Sequence, residues 1–283
     1  MKVVLFCGGS GIRLPDGGET LPKPMVRVGD RPLLWHVMRS YAHWGMRDFI
    51  LCLGAQGGLI KDYFLSYDET LTNDFTLSDG GRRIDLHGTD IQDWRIAFAD
   101  TGQRAEVGQR LLAVRDHLEG ESVFCANYGD IVTNAPLPEL VADFLARDKV
   151  AALLSVRPSS SFHVVEAERG GIVTAIRDVA HADLWANGGY YLFRDSIFDY
   201  IHGPEDLVAG PFRRLIAEDQ LIAYRYEGFW TSLDTLKDLQ NLERLQATGR
   251  PPWAVWVEET GGGWSAAQGS GSGGSASAYS GEP

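Results

Sequence analysis

VVLFCGGSGIRL, at residues 3–14, places a glycine-rich loop directly after a short apolar run near the start of the chain. A short apolar run with β-branched and aromatic residues predicts a buried strand. Glycines that follow a strand can turn consecutive backbone N–H groups toward one anion. The stretch therefore predicts a phosphate-binding loop made of Gly8, Gly9, Ser10 and Gly11. A P-loop is excluded because no Gly-Lys-Ser/Thr follows, and a dinucleotide fingerprint is excluded because Leu14 replaces its third glycine.

Two basic residues accompany this loop. Arg13 and Lys23 supply the positive charge that a triphosphate requires. Ordinary surface charges are the alternative interpretation. A glycine loop just before Arg13 has no structural need for a guanidinium, whereas an anion site does, so we predict a nucleotide site here.

Segments with strand and helix patterns alternate along the first half of the chain. Apolar residues at helical spacing from Leu33 to Tyr41 predict a helix, and residues 48–53 predict a buried strand. The polar segment 66–81 lacks periodicity and is expected to be a surface excursion. Such alternation is typical of the α/β class, in which helices cover a mostly parallel central sheet and ligands bind at the carboxyl ends of its strands.

The composition changes twice further along the chain. Beyond residue 150 the pattern becomes more strand-rich, so we expect one domain at 1–258 with halves at 1–150 and 151–258. From 259 to 283 the chain consists largely of Gly, Ser and Ala. This tail has too little apolar surface to offset its ordering entropy, and we expect it to be disordered and functionally silent.

The composition of the 283-residue chain also restricts its partners. Its 26 basic and 38 acidic residues give a net charge of −12, which argues against nucleic acid as a partner, because a phosphate polymer requires a basic face.

The three cysteines, Cys7, Cys52 and Cys125, lie in or beside apolar runs, which is typical of buried thiols in a reducing compartment. There is no secretory leader and no apolar run of about 20 residues, so we expect a cytoplasmic protein without a membrane partner.

Short motifs follow the loop along the chain: PKPM at 22–25, PLLWH at 32–36, DTG at 100–102, YGD at 128–130, NGG at 187–189, GFW at 228–230, LDT at 233–235 and PW at 252–253. In this order they resemble the sugar-1-phosphate nucleotidyltransferases and, within that superfamily, the glucose-1-phosphate cytidylyltransferases. The resemblance implies a Rossmann-like nucleotidyltransferase fold. It also implies that 1–150 is the nucleotide-binding half and 151–258 the sugar-binding half.

The resemblance further implies a reaction. An NTP, with CTP favoured, and a sugar 1-phosphate, either glucose 1-phosphate or a relative, are joined to give an NDP-sugar and pyrophosphate. Mg²⁺ is the implied cofactor, and a homo-oligomer is possible. Arg13 and Lys23 match the triphosphate-binding residues of the family, and we assign the catalytic role to these two residues. Arg110 matches a further nucleotide-binding arginine of the family.

The implied metal ligands are Asp130 and Asp234. Mg²⁺ prefers one or two carboxylates together with phosphate oxygens and water, so two aspartates from distant parts of the chain suit it. Each aspartate also has a purely structural interpretation. Asp130 would then cap a turn, and Asp234 would cap the helix that begins near Thr235.

On the sugar side, Asn187 and Gly188 match the positions that hold the sugar, although a plain turn is the competing interpretation. Three departures from the family touch the phosphates or the acceptor. Ile12 replaces a loop threonine, Phe162-His163-Val164 replaces a phenylalanine followed by small residues, and Arg177-Asp178-Val179 replaces Glu-Lys-Pro. We predict that Arg177 takes the place of the missing lysine as the cation for the sugar phosphate.

These departures leave more than one function open. The chain is either an active nucleotidyltransferase with a different acceptor or a nucleotide-binding regulatory relative without transferase activity. The same reaction with another base is a third possibility. Because Asp130 and Asp234 are both retained, we favour the enzyme.

Overall fold

The computed structural model describes residues 1–9, 11–13, 20–158, 163–179 and 183–257, and for residues 12 and 13 it describes the backbone alone. Predictions for Ser10, Phe162 and the tail at 259–283 lie outside these residues. The helices are α1 (Leu33–His43), α2 (Gly57–Leu65), α3 (Val107–Ala113), α4 (Leu137–Ala146), α5 (Pro211–Ala217) and α6 (Leu236–Gln246). Within the described ranges, no helix has the length and apolar character needed to cross a membrane.

The strands are, in chain order, β1 (Lys2–Phe6), β2 (Ile12–Arg13), β3 (Thr20–Leu21), β4 (Arg27–Val28), β5 (Arg31–Pro32), β6 (Asp48–Leu53), β7 (Phe75–Ser78), β8 (Arg83–Leu86), β9 (Arg95–Asp100), β10 (Val123–Tyr128), β11 (Ile131–Thr133), β12 (Ala151–Val156), β13 (His163–Ala167), β14 (Val173–Asp178), β15 (Ala186–Arg194), β16 (Leu221–Tyr226) and β17 (Trp230–Ser232).

The central sheet has seven strands in the order β16-β12-β15-β10-β1-β6-β9. β1 runs parallel to β10 and β6, β6 runs parallel to β9, and β12 runs parallel to β16. β15 runs antiparallel to both of its neighbours. The predicted α/β class with a mostly parallel sheet is confirmed.

Alternate residues of β1 enter two separate cores, because successive side chains of a strand point to opposite faces of the sheet. Val3 and Leu5 pack with residues of α1, α4 and α6, whereas Val4 and Phe6 pack with residues of α3 and α5. All four side chains are buried. Burial on both faces explains why this strand is a continuous apolar run in the sequence.

The segment 66–81 needs a correction. It lies on the surface, as expected, but it contains β7, which pairs with β8 in a two-stranded antiparallel hairpin. The alternation in β7 is only four residues long within a polar stretch. A pattern that short gives little signal for a strand.

The cysteines lie in the interior. Cys7, Cys52 and Cys125 are all buried and free, which confirms the prediction of buried thiols. Burial raises the pKa of Cys52 and of Cys125 to about 12. These thiols are therefore protonated and unreactive at neutral pH.

Candidate active site

The loop after β1 and the turn after β10 meet at the carboxyl edge of the sheet. The two strands are parallel neighbours, and the Gly129 amide donates to the Phe6 carbonyl at 3.1 Å. A Cβ at Gly129 would lie 3.1 Å from Cγ of Pro24 and 3.2 Å from Sγ of Cys7. Glycine at 129 therefore lets the PKPM segment pack directly on the turn that carries Asp130.

A second, smaller sheet brings Asp130 next to Asp234. β11 follows Asp130 directly and pairs antiparallel with β17, so that Ile131 lies opposite Ser232. The Leu233 amide donates to the Asp130 carbonyl at 2.9 Å. The two predicted metal ligands are thus neighbours in space although they lie far apart in the sequence.

The Lys23 ammonium lies between these two carboxylates. Its Nζ is 2.5 Å from Oδ1 of Asp234 and 3.4 Å from Oδ2 of Asp130. Partial burial opposes the charge of Lys23, but the hydrogen bond and charge of Asp234, together with Asp130, raise its pKa overall. One cation is therefore shared by two anions from distant parts of the chain.

The two carboxylates differ in their electrostatics. Burial raises the pKa of Asp130; Lys23 opposes this effect and the charge of Asp234 adds to it. Partial burial also acts against the charge of Asp234, but hydrogen bonds from Lys23 and from the Ser232 hydroxyl lower its pKa overall. Asp234 is the more exposed of the two, with 57% of its side chain accessible against 22% for Asp130.

This arrangement fits a magnesium ion that is shared with a substrate phosphate. Two carboxylates that already hold one cation between them offer the hard oxygen ligands that Mg²⁺ prefers. Within the described ranges, no group of three or more His, Cys, Asp or Glu side chains is placed to hold a metal by itself. A metal held by Asp130 and Asp234 would need the remaining ligands from phosphate oxygens and water.

The cap role considered for Asp234 is wrong. Thr235 is the N-cap of α6, and its hydroxyl accepts a hydrogen bond from the Asp238 amide at 3.3 Å. The Asp238 carboxylate accepts in return from the Thr235 amide at 2.7 Å, which completes a capping box. The Asp234 carboxylate contacts Lys23 and the Ser232 hydroxyl instead.

The glycine loop lies at the end of β1, as predicted. Gly8 is partly buried and Gly9 is exposed. The backbone of Arg13 lies in β2 and pairs with β3. Ser10 and the side chain of Arg13 lie outside the described structure, so the nucleotide-binding roles predicted for them stay predictions.

The far side of the loop requires a glycine. Gly11 has a φ of +71°, and a Cβ there would lie 2.6 Å from the Leu21 carbonyl oxygen. Next to it, Nε2 of Gln56 donates to the Thr20 carbonyl at 2.6 Å. Gln56 itself has a φ of +59°, which is uncommon for a residue other than glycine. Sequence reasoning missed this link between the loop and α2, because no motif marks Gln56.

Arg110 is buried against the backbone of the loop. Its guanidinium donates to the Leu53 carbonyl at 3.0 Å and to the Thr101 hydroxyl at 2.8 Å, and 3% of the residue is exposed. A Cβ at Gly8 would lie 2.3 Å from Cζ of Arg110, and one at Gly54 would lie 2.8 Å from a terminal nitrogen. The structure thus brings Arg110 to the predicted loop, and it shows why Gly8 and Gly54 lack side chains.

Asn187 and Gly188 lie inside β15, so the interpretation as a plain turn is wrong. The Asn187 side chain accepts from the Gly189 amide at 3.0 Å and donates to the Tyr191 hydroxyl at 2.8 Å. Asn187 is exposed, whereas Gly188 is buried and its carbonyl accepts from the indole N–H of Trp230 at 2.8 Å. Asn187 is therefore available to a ligand, while Gly188 supports the packing of Trp230.

Arg177 lies on a separate hairpin, formed by β13 and β14. Its guanidinium pairs with the carboxylate of Glu166 at 3.3 Å, and 60% of its side chain is exposed. A sugar phosphate that binds Arg177 would have to compete with this ion pair.

The structure also places an arginine near Asn187 that sequence reasoning missed. Ser155 is the cross-strand partner of both Asn187 and Arg225, and such partners project from the same face of a sheet. The Arg225 guanidinium lies 5.0 Å from the ring centroid of Trp185. Among the described residues, no carboxylate forms an ion pair with it. Only the pairing of β16 with β12 shows that Arg225 lies near Asn187.

Comparison with known sequences finds a matching family and several similar proteins. The Nucleotidyl transferase family matches residues 2–246. The glucose-1-phosphate cytidylyltransferase of Salmonella typhimurium is 32% identical over 258 residues, and a probable glucose-1-phosphate cytidylyltransferase of Bacillus subtilis is 32% identical over 260 residues. Each alignment covers 90% of this chain and 100% of the relative. A mannose-1-phosphate guanyltransferase of Yarrowia lipolytica is 24% identical over 84% of this chain and 62% of its own length.

Solved structures share the fold. HddC from Yersinia pseudotuberculosis superposes with a TM-score of 0.62 at 18% identity, over 86% of this chain and 98% of that protein. The same protein complexed with GMP-PN gives a TM-score of 0.60 at 17% identity, with the same coverage. Because the family match spans most of the chain and the cytidylyltransferases are 32% identical over 90% of it, this chain belongs to the sugar-1-phosphate nucleotidyltransferase family.

Proposed function

We propose that this chain joins CTP and a sugar 1-phosphate, glucose 1-phosphate or a relative, to give a CDP-sugar and pyrophosphate. The observation that carries the proposal is the position of Lys23 between Asp130 and Asp234, next to the glycine loop. The names of the relatives at 32% identity support cytidylyl transfer.

The reaction makes one bond and breaks one. An oxygen of the sugar phosphate attacks the α-phosphorus of CTP, and the bond from that phosphorus to the bridging oxygen of the β-phosphate breaks, which releases pyrophosphate. The attacking oxygen is already anionic, so no general base is required. The main task of the protein is to position the two substrates and to neutralise their charge.

We assign the charge neutralisation to four residues. Asp130 and Asp234 would hold Mg²⁺, which supplies Lewis-acid stabilisation of charge on the phosphates. A metal held by these carboxylates would replace the Lys23 ammonium there, and Lys23 would then be available to the triphosphate. Arg13 completes this group in the proposal, as the family resemblance implies.

The proposed base preference rests on the relatives at 32% identity, which are named as cytidylyltransferases. Arg110 is buried against Gly8 and already donates to Leu53 and Thr101, so we assign it the role of supporting the loop and not of contacting the base. GTP is the main competitor of CTP, because a relative at 24% identity is named as a mannose-1-phosphate guanyltransferase.

For the acceptor phosphate we favour Arg225. It shares a sheet face with Asn187 and has no ion-pair partner among the described residues, whereas Arg177 pairs with Glu166. Arg177 remains the alternative that the sequence predicts. In either case the cation replaces the lysine that the family motif carries.

A substrate panel tests the proposal. Each NTP is combined with each of several hexose 1-phosphates in the presence of Mg²⁺, and pyrophosphate release is measured with and without EDTA. We expect the highest rate with CTP and no release with EDTA. A rate with another NTP about tenfold above that with CTP would contradict the base assignment. Nucleotide binding without turnover across the panel would favour the regulatory function.

A further inference from the structure

The two proposed metal ligands lie at the same end of the small β11–β17 sheet, which we call the ribbon. Asp130 directly precedes β11, and Asp234 is separated from β17 by Leu233 alone. The two strands are antiparallel, so the start of β11 lies beside the end of β17. A two-stranded sheet is at best marginally stable by itself. The position of both carboxylates therefore depends on what holds the ribbon.

Two hydrogen bonds join the ribbon to β15, the strand that carries Asn187. The Tyr190 hydroxyl of β15 donates to the carbonyl of Ile131 in β11 at 3.2 Å. The indole N–H of Trp230 in β17 donates to the carbonyl of Gly188 in β15 at 2.8 Å. Each strand of the ribbon is therefore bonded to the segment of β15 that directly follows Asn187.

Gly189 lies between the two bonded residues of β15 and allows the ribbon to approach closely. Its φ is +71°, and a Cβ there would lie 2.5 Å from Cδ1 of Ile131 and 2.7 Å from Cδ2 of Tyr128. Only glycine combines this backbone conformation with so little space. Because closely packed groups transmit displacements, a shift of β15 at this point also displaces the start of β11.

The Tyr190 hydroxyl is not required for the packing of the core. Tyr190 is 1% exposed, and its ring stacks on that of Tyr41 with the centroids 5.8 Å apart, so a phenylalanine would fill the same space. A buried hydroxyl lowers stability unless it has a hydrogen-bond partner. Burial raises the pKa of Tyr190, so the hydroxyl keeps the proton that it donates. Its bond to Ile131 is therefore a specific contact with the ribbon.

The proposed reaction requires the acceptor and the metal ligands to keep a fixed separation. An oxygen of the sugar phosphate has to reach the α-phosphorus, and a displacement of about 1 Å can lower the rate by about 100-fold. Asn187, which we assign to the sugar, lies on β15, whereas Asp130 and Asp234 lie at the ribbon. The two hydrogen bonds connect these two parts of the site directly.

We propose that Tyr190 and Trp230 are positioning residues, which hold the ribbon, and with it Asp130 and Asp234, at a fixed place relative to β15. This proposal rests on the proposed function, because that function assigns the metal to the two aspartates and the sugar to Asn187. Tyr190 and Trp230 act through hydrogen bonds to the backbone and not through contact with a substrate. Loss of either bond therefore slows the reaction without weakening the binding of either substrate.

Steady-state kinetics of the full chain, with the NTP and sugar 1-phosphate that the substrate panel selects, test this role. Tyr190→Phe removes only the hydroxyl, and Trp230→Phe removes the indole N–H. We expect each to lower kcat about tenfold and to leave both KM values within about twofold of wild type. Tyr41→Phe, in the same core, and Trp94→Phe, whose N–H has no partner among the described residues, are the matched controls and should keep the wild-type kcat. Wild-type kcat in folded Tyr190→Phe and Trp230→Phe overturns the proposal.

A second measurement needs no turnover. Bound Mn²⁺ enhances the phosphorus NMR relaxation of glucose 1-phosphate, and the effect falls steeply with distance. With the α,β-methylene analogue of CTP, which cannot release pyrophosphate, we expect Tyr190→Phe and Trp230→Phe to bind Mn²⁺ as wild type does. A displacement of about 1 Å should lower their enhancement about twofold. Wild-type enhancement in both variants overturns the positioning role and leaves the proposed function intact. If Mn²⁺ has no effect on the phosphorus in wild type, the proposed function fails and this proposal with it.

Discussion

The Lys23 ammonium lies 2.5 Å from the Asp234 carboxylate and also contacts Asp130, so a lysine from the first motif is the counter-ion of aspartates from two later ones. The β11–β17 pair makes this possible, because it joins the segments that follow Asp130 and precede Asp234. Without a cation, the two carboxylates would repel each other at close range.

Removing either carboxylate should therefore abolish catalysis and spare the fold. We expect Asp130→Asn and Asp234→Asn each to lower kcat by about 100-fold or more, because an amide keeps the shape but loses the charge to which we assign the binding of Mg²⁺. Asp143→Asn removes a carboxylate that pairs with Arg147 on the surface and is the matched control. Pyrophosphate release and thermal unfolding are measured for all three. Wild-type rates in folded Asp130 and Asp234 variants would refute the metal assignment.

Lys23 should compete with a metal for the two aspartates when no nucleotide is bound. We expect Lys23→Met to bind Mn²⁺ about tenfold more tightly than wild type, because no ammonium then occupies the space between the carboxylates. The same variant should bind CTP more weakly. Electron paramagnetic resonance of free Mn²⁺ measures the affinity for the metal, and calorimetry measures the affinity for CTP. Lys61→Met is the control. Unchanged Mn²⁺ affinity would mean that the ammonium and the metal use different places.

Gly8 and Gly9 should respond differently to a single added methyl group. A Cβ at Gly8 would collide with the Arg110 guanidinium, whereas nothing lies within 4 Å of a Cβ at Gly9. We expect Gly8→Ala to reduce the free energy of unfolding by roughly 1–3 kcal/mol and Gly9→Ala to leave it nearly unchanged. The double variant Gly8→Ala/Arg110→Ala should show less than the sum of the two single losses, measured by urea unfolding. Additive losses would show that Arg110 does not pack against Gly8.

The cation for the acceptor phosphate can be identified from kinetics. Arg225→Ala should raise the KM for the sugar 1-phosphate by about tenfold and leave the KM for CTP nearly unchanged, because one charge-assisted contact is lost. Arg177→Ala should have a smaller effect, since its guanidinium is already paired with Glu166. The reverse ranking would assign the role to Arg177.

His36 makes the stability of the fold depend on pH. Burial lowers its pKa to about 4, while its ring contacts the Val28 carbonyl at 3.0 Å and accepts from the Trp253 indole at 3.3 Å. The unfolded chain, with an ordinary histidine pKa, binds a proton at higher pH than the folded chain does. The free energy of unfolding therefore falls as the pH is lowered through the window from about 6.5 to 4, by about 2 kcal/mol at pH 5.

The measurement is urea unfolding at pH 7.5 and pH 5. His36→Gln should lose this part of the pH dependence, whereas His117→Gln, at an exposed position, should retain it. An equal pH dependence in wild type and in His36→Gln would rule out His36 as the source.

Some features of the site were predictable because each depends on a local pattern. The strand at residues 3–6, the glycine loop and the placement of Asp130 after a strand follow from apolar runs and glycine positions that lie close together in the chain. The cap of α6 was harder, since Asp234 and Thr235 both suit an N-cap. The structure decides for Thr235 because the carboxylate of Asp238, three residues on, completes the capping box.

The sequence by itself thus determined the α/β class, the alternation of strands and helices in the first half of the chain, and the types of residue available to the site. Only the tertiary structure decided which of them meet: Asp130 with Asp234 through β11 and β17, Arg110 with Gly8, and Arg225 with Asn187 through β12. The reason is physical. Strand and helix patterns arise from neighbouring residues, whereas pairing between distant strands depends on how the whole chain buries its two cores, and this leaves no local mark on the residues that it brings together.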